Sequence, residues 1–85
     1  MDQVGVDLFN FNGEDWLVMI DRFSGFPWTA QLRKTDTKTV LATLKNWFCD
    51  WGMPARIRSD GGPQFRGPFE EFCKTYSIVH ETSSP

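Results

Sequence analysis

Two aspartates, Asp60 and Asp7, stand where a carboxylate can do chemistry. Asp60 closes the run Ile57-Arg58-Ser59-Asp60 and is followed by Gly61-Gly62-Pro63-Gln64-Phe65. Two glycines and a proline cannot extend a strand, because glycine loses too much backbone entropy and proline brings no donor to the ladder. Asp60 is therefore expected at a strand's end. In a sheet with parallel neighbours, such ends project side chains into a loop-lined crevice. Aspartate before glycine also caps turns with its own side chain, and on this stretch alone that is the simpler reading. Asp7 lies inside the β-forming stretch Val4-Gly5-Val6-Asp7-Leu8-Phe9-Asn10-Phe11. If the strand ending at Asp60 docks in parallel beside this one, the two carboxylates come close and repel unless a cation sits between them. Hard oxygen ligands with open positions suit Mg²⁺ or Mn²⁺. Such a site activates a water or hydroxyl and clamps the leaving oxygen of an in-line displacement at a phosphodiester.

The elements that must position this pair are readable from periodicity. Asn12-Gly13 is a strong hairpin signal between the first stretch and Trp16-Leu17-Val18-Met19-Ile20, a continuous apolar run expected of a strand covered on both faces. Ser24-Gly25 marks a second turn. The segment Phe26-Pro27-Trp28-Thr29-Ala30-Gln31-Leu32-Arg33 then alternates in period two, with Pro27 confining it to an edge or a strand start. These predict a three-stranded antiparallel meander. Val40, Leu41, Leu44, Trp47, Phe48 and Trp51 next form one stripe of an amphipathic helix of about 15 residues. Thr35 or Asp36 can cap its start, and Gly52 with Pro54 ends it. Such a helix leading into Ala55-Arg56-Ile57-Arg58 makes a crossover that returns the chain parallel to an earlier strand. A shorter helix begins at Pro68 with Phe69, Phe72, Cys73 and Tyr76 on one face, and Ile78-Val79-His80 reads as a last strand. The tail Thr82-Ser83-Ser84-Pro85 reads as loop. The expected architecture is α/β, a mixed five-stranded sheet in the order β-β-β-α-β-α-β with helices packed on it.

Composition narrows the classes. A chain of 85 residues makes one domain with a modest core, partly compensated by 8 Phe, 4 Trp and 1 Tyr. No apolar run approaches the ~18 residues needed to cross a bilayer, and no signal peptide is read, so no membrane partner is expected. Cys49 and Cys73 sit in helical patterns without a second ligand at metal spacing, which predicts reduced core thiols in an intracellular protein. A net charge of −2 leaves no electrostatic footprint for nucleic acid. A phosphate track can still be drawn locally from Arg58, Arg66, Arg56, Arg33 and Lys34, although isolated surface charges are the default, and Gln64 can contact substrate or equally hold the turn. Asp21, just before Arg22, is read as a turn cap or an ion-pair member, and His80, the single histidine, as a partly buried structural residue.

Four segments together carry a family likeness: Val4-Gly5-Val6-Asp7-Leu8-Phe9, Leu17-Val18-Met19-Ile20-Asp21-Arg22-Phe23-Ser24, Trp51-Gly52-Met53-Pro54 and Arg58-Ser59-Asp60-Gly61-Gly62-Pro63-Gln64-Phe65. As a set they closely resemble the integrase catalytic core of gypsy-type retrotransposons and retroviruses, over essentially the whole chain. The resemblance implies a ribonuclease H-like fold, two Mg²⁺ ions, and cutting and joining of DNA by polynucleotidyl transfer in the nucleus. It matches Asp7 and Asp60 to the first two carboxylates of an Asp-Asp-Glu triad, and the long helix to a homodimer interface.

The departures from the family pattern shape the functional expectation. The third carboxylate, a glutamate beyond a His-Pro-Gln loop, has no counterpart here, and Glu81 precedes the region where that loop is expected. Gly61 stands where relatives usually carry asparagine. Residues 1–85 are thus expected to be a partial integrase core, inactive alone, whose parent is a Mg²⁺-dependent DNA-joining enzyme. The alternative is a domesticated, catalytically dead remnant serving as a nucleic-acid-binding or dimerisation module.

Overall fold

A computed structural model describes residues 2–83, and in it the chain begins with the predicted meander. Strand β1 (Gln3–Phe11) and strand β2 (Glu14–Asp21) pair antiparallel from Val4↔Asp21 to Phe11↔Glu14. Asn12 and Gly13 between them take φ of 53° and 76°, the doubly left-handed pair that a tight hairpin needs. Strand β3 (Pro27–Leu32) lies at the sheet edge, where Pro27, as its first residue, deprives no inner ladder of a donor.

Helix α1 (Thr37–Trp51) starts at Asp36, whose carboxylate accepts the Thr39 N–H at 2.9 Å, and stops at Gly52, whose φ of 98° few other residues adopt. Strand β4 (Arg56–Asp60) then pairs parallel to β1, with Val4↔Ile57 and Gly5↔Arg58 in register. A 3₁₀ turn (Pro63–Phe65) precedes helix α2 (Pro68–Thr75), and strand β5 (Val79–Ser83) pairs parallel to β4. The sheet order is β3-β2-β1-β4-β5. Both crossovers step the same way along the sheet, so both helices cover one face. Val4, Leu17, Met19 and Ile57 from that face pack with Val40, Leu44, Phe48 and Phe69 from the helices in one continuous core. Each such side chain contributes roughly 1.5–3 kcal/mol by leaving water.

Four expectations are corrected. Strand β2 is covered on one face only: Leu17 and Met19 are buried, whereas Ile20 is exposed and Trp16 and Val18 are half-buried, because among the described residues no helix lies on their side. Strand β5 continues through Thr82 and Ser83, which were expected in a loop. Pairing with Ser59 and Asp60 of β4 holds these polar residues extended, while Ser84 and Pro85 lie outside the described residues. Cys49 is an exposed thiol rather than a core one, sitting off the apolar stripe of α1, while Cys73 is buried. Burial and the nearby Glu70 push the Cys73 thiol up to about 11. The stripe's last member, Trp51, is 56% exposed and forms an aromatic corner with Phe26 and Trp28 at ring separations of 5.8 and 5.6 Å. Among the described residues no helix is long and apolar enough to cross a membrane.

Candidate active site

The parallel register of β1 and β4 decides where the two aspartates go. From the pair Gly5↔Arg58, two further residues along each strand lead to Asp7 and Asp60. Side chains alternate across a sheet, so these carboxylates share the face opposite to buried Val4, Val6, Ile57 and Ser59. Both are exposed, and both line one crevice of about 360 Å³ together with Arg58, Val18, Ile20 and Ser83. The backbone fixes one oxygen of each. Asp7 Oδ1 accepts the Leu8 N–H at 2.9 Å, and Asp60 Oδ1 accepts the Gly62 N–H at 2.9 Å. Asp60 therefore does cap its turn, and it lines the crevice as well. Each carboxylate retains a second oxygen for a cation. Among the described residues no group of three His, Cys, Asp or Glu gathers that can hold a metal ion.

The loop after Asp60 is shaped by close approach. A Cβ on Gly62 would lie 3.0 Å from both Asp60 Oδ1 and Gln64 Oε1, so glycine leaves room for two oxygen-bearing side chains to converge. Phe65, 1% exposed, anchors the following turn in the core, and Thr37 Oγ1 donates to the Gln64 carbonyl at 3.1 Å. The Arg66 guanidinium folds over Gly61, 3.6 Å from where a Cβ would stand. Arg58 reaches Ser83 Oγ at 3.3 Å. Arg58, Gln64 and Arg66 are thus gathered around Asp60. The rest of the phosphate track disperses: Arg56 pairs with Glu81 at 3.3 Å, and Arg33 and Lys34 follow β3, three strands from β4. Glu81, held in that exposed pair, does not line the crevice.

Asp21 occupies a turn, as its position predicts. Its Oδ1 accepts the Phe23 N–H at 2.9 Å, and that bond holds its carboxyl below the usual carboxylate range. A larger hollow, about 630 Å³, opens there between Asp2, Gln3 and Arg22, at the start of β1. Ser59 and His80, whose Oγ and Nε2 lie 2.7 Å apart beneath α2, form a pair that the sequence does not announce. Strand alternation puts Ser59 on the helix-facing side, and that was the only signal available.

The profile of the family described as "Integrase core domain" matches residues 5–85. The chain belongs to this family. Curated relatives include the Gag-Pro-Pol polyprotein of Simian retrovirus SRV-1, 39% identical over 69 residues, which are 80% of this chain and 4% of that protein. The Gag-Pro-Pol polyprotein of Human T-cell leukemia virus 2 is 36% identical over 70 residues, again 80% of this chain and 5% of that one. Among solved structures, the HTLV-2 integrase catalytic core domain in complex with magnesium, in a dimeric form, superposes with a TM-score of 0.85 at 25% identity, covering 98% of this chain and 60% of that one. The catalytic core domain of BIV integrase gives 0.88 at 20% identity, covering 95% and 53%, a likeness of fold. The mixed sheet with two helices on one face is therefore the ribonuclease H-like arrangement of integrase cores, of which this integrase core chain spans about three fifths.

Proposed function

We propose that this integrase core domain supplies the Asp7 and Asp60 ligands of a divalent-metal site that cuts and joins DNA by polynucleotidyl transfer, the third carboxylate coming from outside residues 2–83. The shared crevice where β4 ends beside the middle of the parallel strand β1 is the observation that carries this reading. The likeness to a core solved with magnesium supports Mg²⁺, and two exposed carboxylates, each with an oxygen to spare, fit such a hard cation. When bound, the ion supplies the charge that activates a hydroxyl and stabilises the leaving oxygen. The chain's own residues do the rest. Asp7 and Asp60 present oxygens from rigid strands. Arg58 lies within the crevice to hold a phosphate oxygen, and Gln64 and Arg66 border the path of the strand beside it. DNA as substrate implies work in the nucleus, and the solved dimeric core supports a homodimer.

Titration of the labelled protein with Mg²⁺ or Mn²⁺, followed by backbone resonances, tests the site. Shifts clustered at Asp7 and Asp60, abolished in Asp60→Asn, are expected. A dispersed or absent response favours the metal-free remnant that serves as a binding module. Residues 1–85 alone are expected to show no strand transfer, and activity from them would overturn the incomplete-site reading.

A further inference from the structure

Ser59 is a buried polar side chain, 3% exposed, and its hydroxyl has two neighbours: the Asp60 carbonyl oxygen at 2.9 Å and His80 Nε2 at 2.7 Å. A hydroxyl carries one proton, and a carbonyl only accepts. For both contacts to be hydrogen bonds, the Ser59 proton points to the Asp60 carbonyl and Nε2 must bring a proton of its own. We propose that His80 is a positioning residue: held as the Nε2–H tautomer, it donates to Ser59 Oγ, and the Ser59 hydroxyl donates to the Asp60 carbonyl, fixing the peptide from which the Asp60 carboxylate projects.

The surroundings support this relay. The His80 side chain is 7% exposed and packs against the Phe69 ring at 4.9 Å, so its orientation is set by the core. Burial holds its pKa below the usual histidine value, with Glu70 pulling weakly the other way, so at neutral pH the ring carries one proton. Glu70 Oε1 is 3.9 Å from Nδ1, too far to hydrogen-bond, and is 59% exposed, so it does not claim that proton for Nδ1. Ser59 faces the helices and Asp60 faces the crevice. The relay therefore crosses the sheet through the backbone, as outer partners do when they orient a ligating side chain. The consequence for metal binding rests on reading Asp60 as a ligand; the relay itself does not.

The test uses the whole labelled protein. Long-range ¹H–¹⁵N correlations of the His80 ring at neutral pH are expected to show a protonated Nε2 and a bare Nδ1. His80→Phe keeps a ring against Phe69 without a donor, and His80→Gln keeps an N–H near the Nε2 position. The Asp60 carbonyl ¹³C shift should move in His80→Phe and return in His80→Gln. In a Ser59→Ala background, His80→Phe should move it no further. Mg²⁺ affinity at Asp7 and Asp60 should fall on the order of tenfold in His80→Phe and recover in His80→Gln. Protonation at Nδ1 instead, an unmoved Asp60 carbonyl, or full Mg²⁺ affinity in a folded His80→Phe overturns the proposal. Should His80→Phe not fold, Ser59→Ala reads the same bond from its other end, and the tautomer needs no variant. A wild-type protein that ignores Mg²⁺ yet shows the expected tautomer and carbonyl shifts rejects the metal site and retains the relay.

Discussion

The two faces of the sheet are made by alternate residues of the same strands, yet they differ in almost every physical property. On the helix-covered face, Val4, Leu17, Met19 and Ile57 are fully buried. On the other, Asp7 and Asp60 are exposed beside a strip of Phe9, Trp16, Val18 and Ile20 that none of the described elements covers. Val6 and Asp7 are chain neighbours, one locked in the core and one open to solvent. The open face is positioned by the covered one, since a carboxylate on a strand inherits the rigidity of residues it never touches.

The largest effect expected from breaking this arrangement comes from the covered face. Phe69 is fully buried and meets Phe65 edge-on at 5.2 Å. Phe69→Ala should cost roughly 3–5 kcal/mol, a large share of what a small domain has to spare. Urea unfolding should show the midpoint falling steeply with a nearly unchanged slope. The candidate site would be lost with it, although Phe69 lies on the other side of the sheet.

A second change separates geometry from stability. Gly62 has φ −63° and ψ 157°, which alanine adopts without strain, but its Cβ would crowd Asp60 Oδ1 and Gln64 Oε1. Gly62→Ala should weaken the Mg²⁺ response several-fold by displacing the Asp60 carboxylate. Stability should change little, because leaving glycine gains roughly 0.4–1 kcal/mol through the unfolded chain, which offsets the local shift. An undiminished Mg²⁺ response would mean that the loop yields and Asp60 does not.

The covered face was largely legible in the sequence, and the open face was not. Helix α1 announced itself because Val40, Leu44 and Phe48 recur at helical spacing, and the Asn12-Gly13 turn because few other residues take two positive φ values in succession. The Asp7 and Asp60 neighbourhood followed from crossover geometry once β4 was placed. What failed had a common cause. The apolar run of β2 says that both faces avoid water, but not what covers each. The polar residues of β5 carry no strand signal of their own and are held by pairing with β4. Ser59 and His80 meet only because two parallel strands and a helix close around them, and no local spacing encodes that.

A smaller effect concerns the helix that builds the crossover. Asp36 accepts the Thr39 N–H, and its hydrogen bonds with the Thr39 side chain and backbone hold its carboxyl below the usual aspartate range. A depressed folded-state pKa gives stability that is present above the unfolded value of about 3.9 and is lost as pH falls through the folded one. Asp36→Ala should therefore lower the melting temperature by a few degrees at pH 7, where the cap is intact. The difference should shrink toward zero at pH 2. A difference that persists in acid would assign the effect to the helix's residue preference rather than to the charged cap.

The smallest stability change belongs to the open face itself, where a substitution tests what the face is for. Phe9 and Trp16 stack at 6.5 Å and shield each other in part, but Ile20 is 42% exposed and Phe11 61%. An uncovered apolar strip beside charged residues seeks a partner, and in isolation the partner at hand is a second copy. Ile20→Ser removes apolar area at the crevice wall without opening a cavity, so unfolding free energy should change by under about 1 kcal/mol. Sedimentation at high concentration should nonetheless show the wild-type protein associating and the variant associating less. A wild-type protein that stays monomeric at those concentrations would show that Phe9 and Trp16 shield the strip well enough, and the contrast between the faces would then be one of chemistry without stickiness.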